Sequence, residues 1–141
     1  MLNINFCLLH PDAKVPTYGS QNAACFDLYS VTDVVINGNT AEAIRTGLAV
    51  EVPDGYSFDI RGRSGMAFKQ WLWAFHGTVD ADYRGEILVL VQNTGRHPVF
   101  IASGSRIAQA RLTQSPRVTM SVVEQLSFTE RGEGGFGSSG R

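Results

Sequence analysis

Residues 76–87 read HGTVDADYRGEI and place two carboxylates, Asp80 and Asp82, two positions apart, followed by Tyr83 and an Arg84-Gly85 turn. On extended backbone, positions i and i+2 share a face, so both acids would look toward one ligand or metal, with Tyr83 on the other side. A carboxylate positioned beside a water molecule is a general base. The same residues equally suit a charged hairpin rim in which Asp82 and Arg84 brace the turn. A second candidate is GRSGMA, residues 62–67, where Arg63 and Ser64 precede Gly65 and the start of a short helix. Free backbone N–H groups at such a start attract anions, and the guanidinium adds a bidentate donor, although a capped turn with a solvated arginine fits too.

Two further segments carry polar groups with work to do. In GSRIAQARL, residues 104–112, strand alternation sets Ile107, Gln109 and Arg111 on one face and Ala108, Ala110 and Leu112 on the other. A buried Gln109 amide needs partners, either backbone groups or a ligand. The last residues, RGEGGFGSSGR from 131 to 141, combine glycine freedom and unshielded N–H groups with serine donors, the fixed charge of Arg131 and the flat ring of Phe136. That is the composition of a nucleotide-covering lid, and also of a disordered terminus, since the segment buries too little to offset its ordering entropy without a ligand.

The elements that must position these groups read as β-structure. Helical periodicity is nearly absent, and short runs rich in Val, Ile, Leu, Phe and Tyr recur between turn signals. Strands are expected over residues 3–9, 25–30, 34–36, 43–52, 56–60, 86–93, 98–101, 106–113 and 117–126, with turns at Asn37-Gly38-Asn39, Pro53-Asp54-Gly55, Thr94-Gly95-Arg96 and Ser103-Gly104-Ser105. Leu48, Val50 and Val52 alternate with Ala49 and Glu51 as in a half-buried strand, whereas Ile87-Leu88-Val89-Leu90-Val91 is apolar on both faces and is expected to be central. The one helix expected spans residues 64–69, too short to organise a fold. A sandwich or jelly roll follows.

Bulk properties narrow the classes. A chain of 141 residues is expected to build one core, and 43% apolar with 18% charged residues is ordinary for a globular protein. A formal net charge of −1 gives no pull toward nucleic acid or anionic membrane, and no apolar run approaches the roughly 18 residues of a membrane span. MLNINFCLLHPD at the start carries neither a basic region nor a small-residue cleavage site, so a cytoplasmic location with reduced Cys7 and Cys25 is expected. Cys7 and His10 have metal-like spacing but lack a second pair of ligands.

Taken in order, these pieces resemble the five motifs of the trimeric deoxyuridine triphosphatases (dUTPases): AACFDLYS (residues 23–30), GRSGMA (62–67), GTVDADYRGE (77–86), RIAQARL (106–112) and RGEGGFGSSG (131–140). The resemblance implies an all-β jelly-roll subunit, a distorted barrel with one short helix, assembled as a threefold homotrimer whose active sites draw residues from all three chains. It implies a body over residues 1–127 and a lid over 128–141 that closes a neighbouring subunit's site. The implied reaction is Mg2+-assisted hydrolysis of dUTP to dUMP and pyrophosphate, with Asp80 as the base that activates water. Tyr83 would pack on the deoxyribose and exclude a 2′-hydroxyl, and the main chain of Gly77, Thr78 and Val79 would read the uracil edge. Arg63, Ser64 and Gly65 would hold the α- and β-phosphates, and Asp27 and Gln109 would bind water around the magnesium. Phe136 would stack on uracil, with Arg131, Gly137, Ser138 and Ser139 on the γ-phosphate.

Departures from the family pattern are Cys25 in place of glycine, Met66 in place of leucine, Ser139 in place of threonine, and Ala74 where relatives carry an asparagine near uracil. Two other readings share this scaffold: a dCTP deaminase, against which the complete DADYRGE hairpin and glycine lid argue, and a non-catalytic nucleotide-binding module. An RGG-like nucleic-acid tail is disfavoured by a single unrepeated copy.

Overall fold

The computed structural model describes residues 2–138. Its elements run β1 (Asn5–Leu8), β2 (Thr17–Tyr18), β3 (Phe26–Tyr29), β4 (Val34–Ile36), β5 (Ala41–Arg45), β6 (Leu48–Glu51), β7 (Tyr56–Arg61), α1 (Ser64–Gln70), β8 (Leu72–Ala74), β9 (Gly77–Val79), β10 (Leu88–Asn93), β11 (Val99–Ile101) and β12 (Arg106–Gln114). The all-β class with one short helix is therefore as expected. Strand pairing is antiparallel and forms four small sheets, ordered β1-β6, β5-β10-β8, β11-β4 and β2-β3-β12-β7-β9.

One core lies between them. Leu28, Ile36, Ile44, Leu48, Phe58, Leu72, Ile87, Val89, Val91 and Ile107 are almost wholly inaccessible. Burying each such side chain stabilises the fold by about 1.5–3 kcal/mol relative to exposure. Phe58 packs edge-on to Phe6 and tilted against Phe26, which joins the five-stranded sheet to β1. The buried Asn93 amide is fully used: Nδ2 donates to the carbonyls of Ile36 and His97, and Oδ1 accepts from Gly95 N–H.

Several details differ from the expectation. The run expected as one strand over 43–52 is broken at Thr46-Gly47, where Gly47 takes φ +65 and a Cβ would come within 2.8 Å of His10 Cβ. Ala49 is buried along with Leu48 and Val50. Leu88 and Leu90 are 51% and 41% exposed, so β10 is central in its sheet but buried on one face only. A register shift between Arg106 and Ala108 turns Ile107 into the core beside Ala108, leaving Gln109 and Arg111 on the polar face.

The strand expected over 117–126 is absent. Ser115 N–H still bonds Gly55, but residues 116–133 are exposed throughout, including Val118, Met120, Val122, Leu126 and Phe128. Alternating apolar residues become a strand only when a second strand supplies hydrogen bonds and cover, and no such strand is present among the described residues.

Candidate active site

Two clusters form on the five-stranded sheet. The first lies at the β9 edge, where Gly77, Thr78, Val79, Asp80, Tyr83 and Glu86 line a cleft of about 290 Å³ whose floor is Ile60, Ile87 and Leu88. The volume is near the lower end of small-molecule sites, about 300–1,000 Å³. β9 pairs only with β7, so its outer edge leaves main-chain donors and acceptors facing the cleft. Asp82 does not line this cleft. Residues 80–86 are turn rather than strand, and Tyr83 N–H bonds the Asp80 carbonyl at 3.2 Å, so Asp80 and Tyr83 share a side that strict alternation assigns to Asp80 and Asp82.

The turn is held by its own side chains. Arg84 Nη1 donates to the carbonyls of Ala81 and Tyr83 at 2.7 and 3.0 Å, and Nη2 lies 3.7 Å from Glu51. That ion pair is exposed and worth little by itself, so the two carbonyl bonds carry the bracing. Below the hairpin, Asp59 on β7 accepts from Ser57 Oγ at 3.1 Å and Thr78 Oγ1 at 3.4 Å. Burial opposes its ionisation, yet the neighbouring Thr113 hydroxyl, short of full hydrogen-bond geometry, the Ser57 hydroxyl, the His76 ring and the Thr78 hydroxyl together hold the carboxyl below its ordinary value of 3.8.

The second cluster lies at the opposite corner of the same sheet. Asp27 on β3, Gln109 on β12 and Arg61 on β7 stand side by side in register. Asp27 accepts from Arg63 Nε at 3.0 Å and lies 3.5 Å from Arg106 Nη1. Gln109 Nε2 donates to the Gly62 carbonyl at 2.8 Å, which fixes the loop leading to α1 and leaves the amide oxygen free to accept. Arg63 is the N-cap of α1 with no side-chain cap, and a Cβ on Gly65 would meet nothing within 4 Å, so the first-turn N–H groups are open to an anion.

The residues of the two clusters follow one another along the chain in the order that the sequence motifs set. The dUTPase family model matches residues 11–140. The chain belongs to the dUTPase family. Among relatives, the deoxyuridine 5′-triphosphate nucleotidohydrolase of Nautilia profundicola is 45% identical over 135 residues, covering 94% of this chain and 95% of that one. The enzyme of the same name from Caldanaerobacter subterraneus is 44% identical over 133 residues, 92% of this chain and 90% of that one. Among solved structures, the Staphylococcus bacteriophage 80alpha dUTPase with dUPNHPP superposes with a TM-score of 0.95 at 27% identity, covering 100% of both chains.

The dUTPase motifs divide three ways in this chain. Asp80, Tyr83 and residues 77–79 share the cleft; Asp27, Arg63, Ser64, Gly65 and Gln109 share the opposite corner; among the described residues of the tail, 131–138 join neither. Arg131 Nε bonds the Gly134 carbonyl at 2.8 Å, Ser138 N–H bonds Gly135, and Phe136 is fully exposed at φ 51. Gly137 takes φ +88. Ser139 lies outside the described residues. Among the described residues, no group of three His, Cys, Asp or Glu is placed to hold a metal, and no helix is long and apolar enough to cross a membrane.

Sequence reasoning missed Arg106, whose guanidinium shares Asp27 with Arg63. It also missed Glu86, whose carboxylate takes Arg45 Nε at 3.1 Å and Gly47 N–H at 2.9 Å. Both are single charges whose partners lie 79 and 41 residues away along the chain, and spacing carries no signal for such pairs.

Proposed function

We propose that this chain hydrolyses dUTP to dUMP and pyrophosphate, with Asp80 as the base and Tyr83 as the platform for the deoxyribose. The observation that carries the reading is the cleft in which Asp80, Tyr83 and the open edge of β9 converge. The edge strand offers alternating N–H and C=O groups to the polar rim of uracil. The Tyr83 ring covers the sugar, and the Asp80 carboxylate orients a water and accepts its proton as the oxygen attacks the α-phosphorus. Pyrophosphate departs in line.

At the other corner, Arg63 and the N–H groups of Ser64 and Gly65 bind phosphate oxygens, and Arg106 adds charge beside Asp27. One carboxylate and one amide oxygen cannot complete an octahedral shell, but they suit Mg2+, which keeps several waters and takes its remaining ligands from phosphate. Asp27 and Gln109 would therefore hold the ion through water, and its chemistry when bound is neutralisation of the charge on the leaving pyrophosphate.

The sheet favours a site shared between chains. β3 and β9 are three strands apart, about 14 Å at a spacing of about 4.8 Å, and Asp80 lies past the end of β9 remote from the Asp27 row. A triphosphate held by Arg63 and Gln109 does not reach Asp80 of the same chain. This separation supports a homotrimer in which one copy supplies the phosphate corner, another the base and a third the tail. The exposed apolar residues of 116–128 support it too, because they need cover that their own chain does not give. In this reading, residues 1–127 are the body and 128–141 the lid, with Phe136 on uracil and Arg131, Gly137, Ser138 and Ser139 on the γ-phosphate.

The test is pyrophosphate release from dUTP, dTTP, dCTP and UTP with Mg2+, alongside sedimentation to give the assembly. Release from dUTP far above the other three is expected, from a particle of three chains. Ammonia from dCTP without pyrophosphate from dUTP would replace this reading with deamination.

A further inference from the structure

Tyr83 is 45% exposed, and a ring so placed has freedom to rotate unless something below holds it. Two contacts do. Its hydroxyl donates to the Glu86 carbonyl at 3.1 Å, and its ring lies across the face of Gly85 so closely that a Cβ there would sit 2.3 Å from the phenol oxygen and 2.6 Å from Cζ. The Glu86–Ile87 peptide is held from two sides: Ile87 N–H donates to the Leu48 carbonyl at 2.7 Å, and the Glu86 carboxylate takes the Arg45 Nε hydrogen at 3.1 Å to each oxygen and Gly47 N–H at 2.9 Å. Gly47 in turn is wedged at φ +65 against His10, Ala13 and Val31. The phenol ring is thus tied through Glu86 to the junction of β5 and β6, outside the nucleotide cleft.

We propose that Gly85 and the Arg45–Glu86 pair are positioning residues that set how strictly the site rejects a 2′-hydroxyl, acting through the Tyr83 ring. The inference rests on the reading of Tyr83 as the sugar platform. Exclusion of one hydroxyl by contact depends on sub-ångström placement of the ring, and misplacement of about 1 Å at a reacting site costs up to about a hundredfold. Gly85 is required here by space rather than by backbone, since its φ is not in the left-handed region and the three atoms nearest an added Cβ all belong to the Tyr83 ring. Alanine at 85 therefore moves the ring and leaves the turn.

The experiment measures kcat and KM for dUTP and UTP in the wild-type protein, Gly85→Ala, Glu86→Gln, Tyr83→Ala and the Gly85→Ala/Tyr83→Ala double variant, with thermal melts of each. Gly85→Ala is expected to melt near wild type and to lower the dUTP-over-UTP ratio of kcat/KM about 10–100-fold, chiefly by raising KM for dUTP and lowering it for UTP. Glu86→Gln, which weakens the tether without touching the ring, is expected to move the ratio in the same direction by about three- to tenfold. In the Tyr83→Ala background, Gly85→Ala is expected to change the ratio no further, which a general weakening of the turn would not produce. An unchanged ratio in Gly85→Ala, or an additive effect in the double variant, overturns the inference while the hydrolase reading stands. A wild-type protein with no preference for dUTP over UTP overturns both.

Discussion

The hairpin that ends in Glu86 and the segment that begins at Pro116 are both rich in groups suited to a nucleotide, yet the chain treats them in opposite ways. The hairpin is braced at every step: Arg84 on two carbonyls, Tyr83 on Glu86, Thr78 on Asp59. Among its described residues the C-terminal segment has only local turn bonds, and Phe136 and Phe128 are bare. Groups that act on a reacting atom must be set before substrate arrives, because preorganisation removes reorganisation from the barrier. A cover must instead open for exchange, so the energy that orders it has to come from ligand and neighbouring chain.

The sharpest way to break this contrast is at the rigid end. Asp80→Asn removes the proposed base and keeps its shape, so turnover is expected to fall by about 10²–10⁴ with dUTP affinity and assembly retained, as read by single-turnover kinetics and calorimetric binding. Near-normal turnover would remove Asp80 from its role and leave the bracing of the hairpin without a purpose. The flexible end should give a smaller loss of a different kind. Deleting the residues after Ser127 is expected to leave the melting temperature near wild type and lower kcat/KM about tenfold or more. Mixing that truncation with Asp80→Asn chains is expected to restore part of the activity, since base and lid then meet from different copies. Unfolding of the truncated chain would show the tail to be core, and a mixture without recovery would place the whole site in one chain.

What the sequence disclosed tracks the same division. Local signals read well: the glycine and proline turns, the short helix after Arg63, and the alternation that sets Gln109 and Arg111 on one face of β12, though not Ile107, which the register shift turns into the core. The five motifs were legible because their residues are close together along the chain. Three short strands, Thr17–Tyr18, Leu72–Ala74 and Gly77–Val79, were not called as strands, since two or three residues are too few to show a period and their pairing comes from partners far along the chain. Leu88 and Leu90 misled because hydropathy records a residue's type and not which face of β10 lacks cover. The strand expected over 117–126 failed for the corresponding reason, as a strand needs a partner. The tether from Arg45 through Glu86 to Tyr83 was invisible because it joins residues 41 positions apart by single side chains.

The smallest expected effect lies beneath the hairpin and sharpens what rigid means there. Folding holds the Asp59 carboxyl below its ordinary value of 3.8, so its charge contributes stability that is fully present above that value and is lost as pH falls through the folded value. Asp59→Asn leaves an oxygen to accept from Ser57 and Thr78 and removes only the charge. The variant is expected to be less stable than wild type at neutral pH by about 1 kcal/mol, and the gap should narrow as the pH is taken below 3.8, where the wild-type carboxylate also becomes neutral. Denaturant melts of both proteins at neutral pH and at a series of acid values measure it. A gap of constant size across that series would mean that shape rather than charge ties Thr78 to β7, and the floor of the cleft would then be rigid by packing, with no dependence on acid.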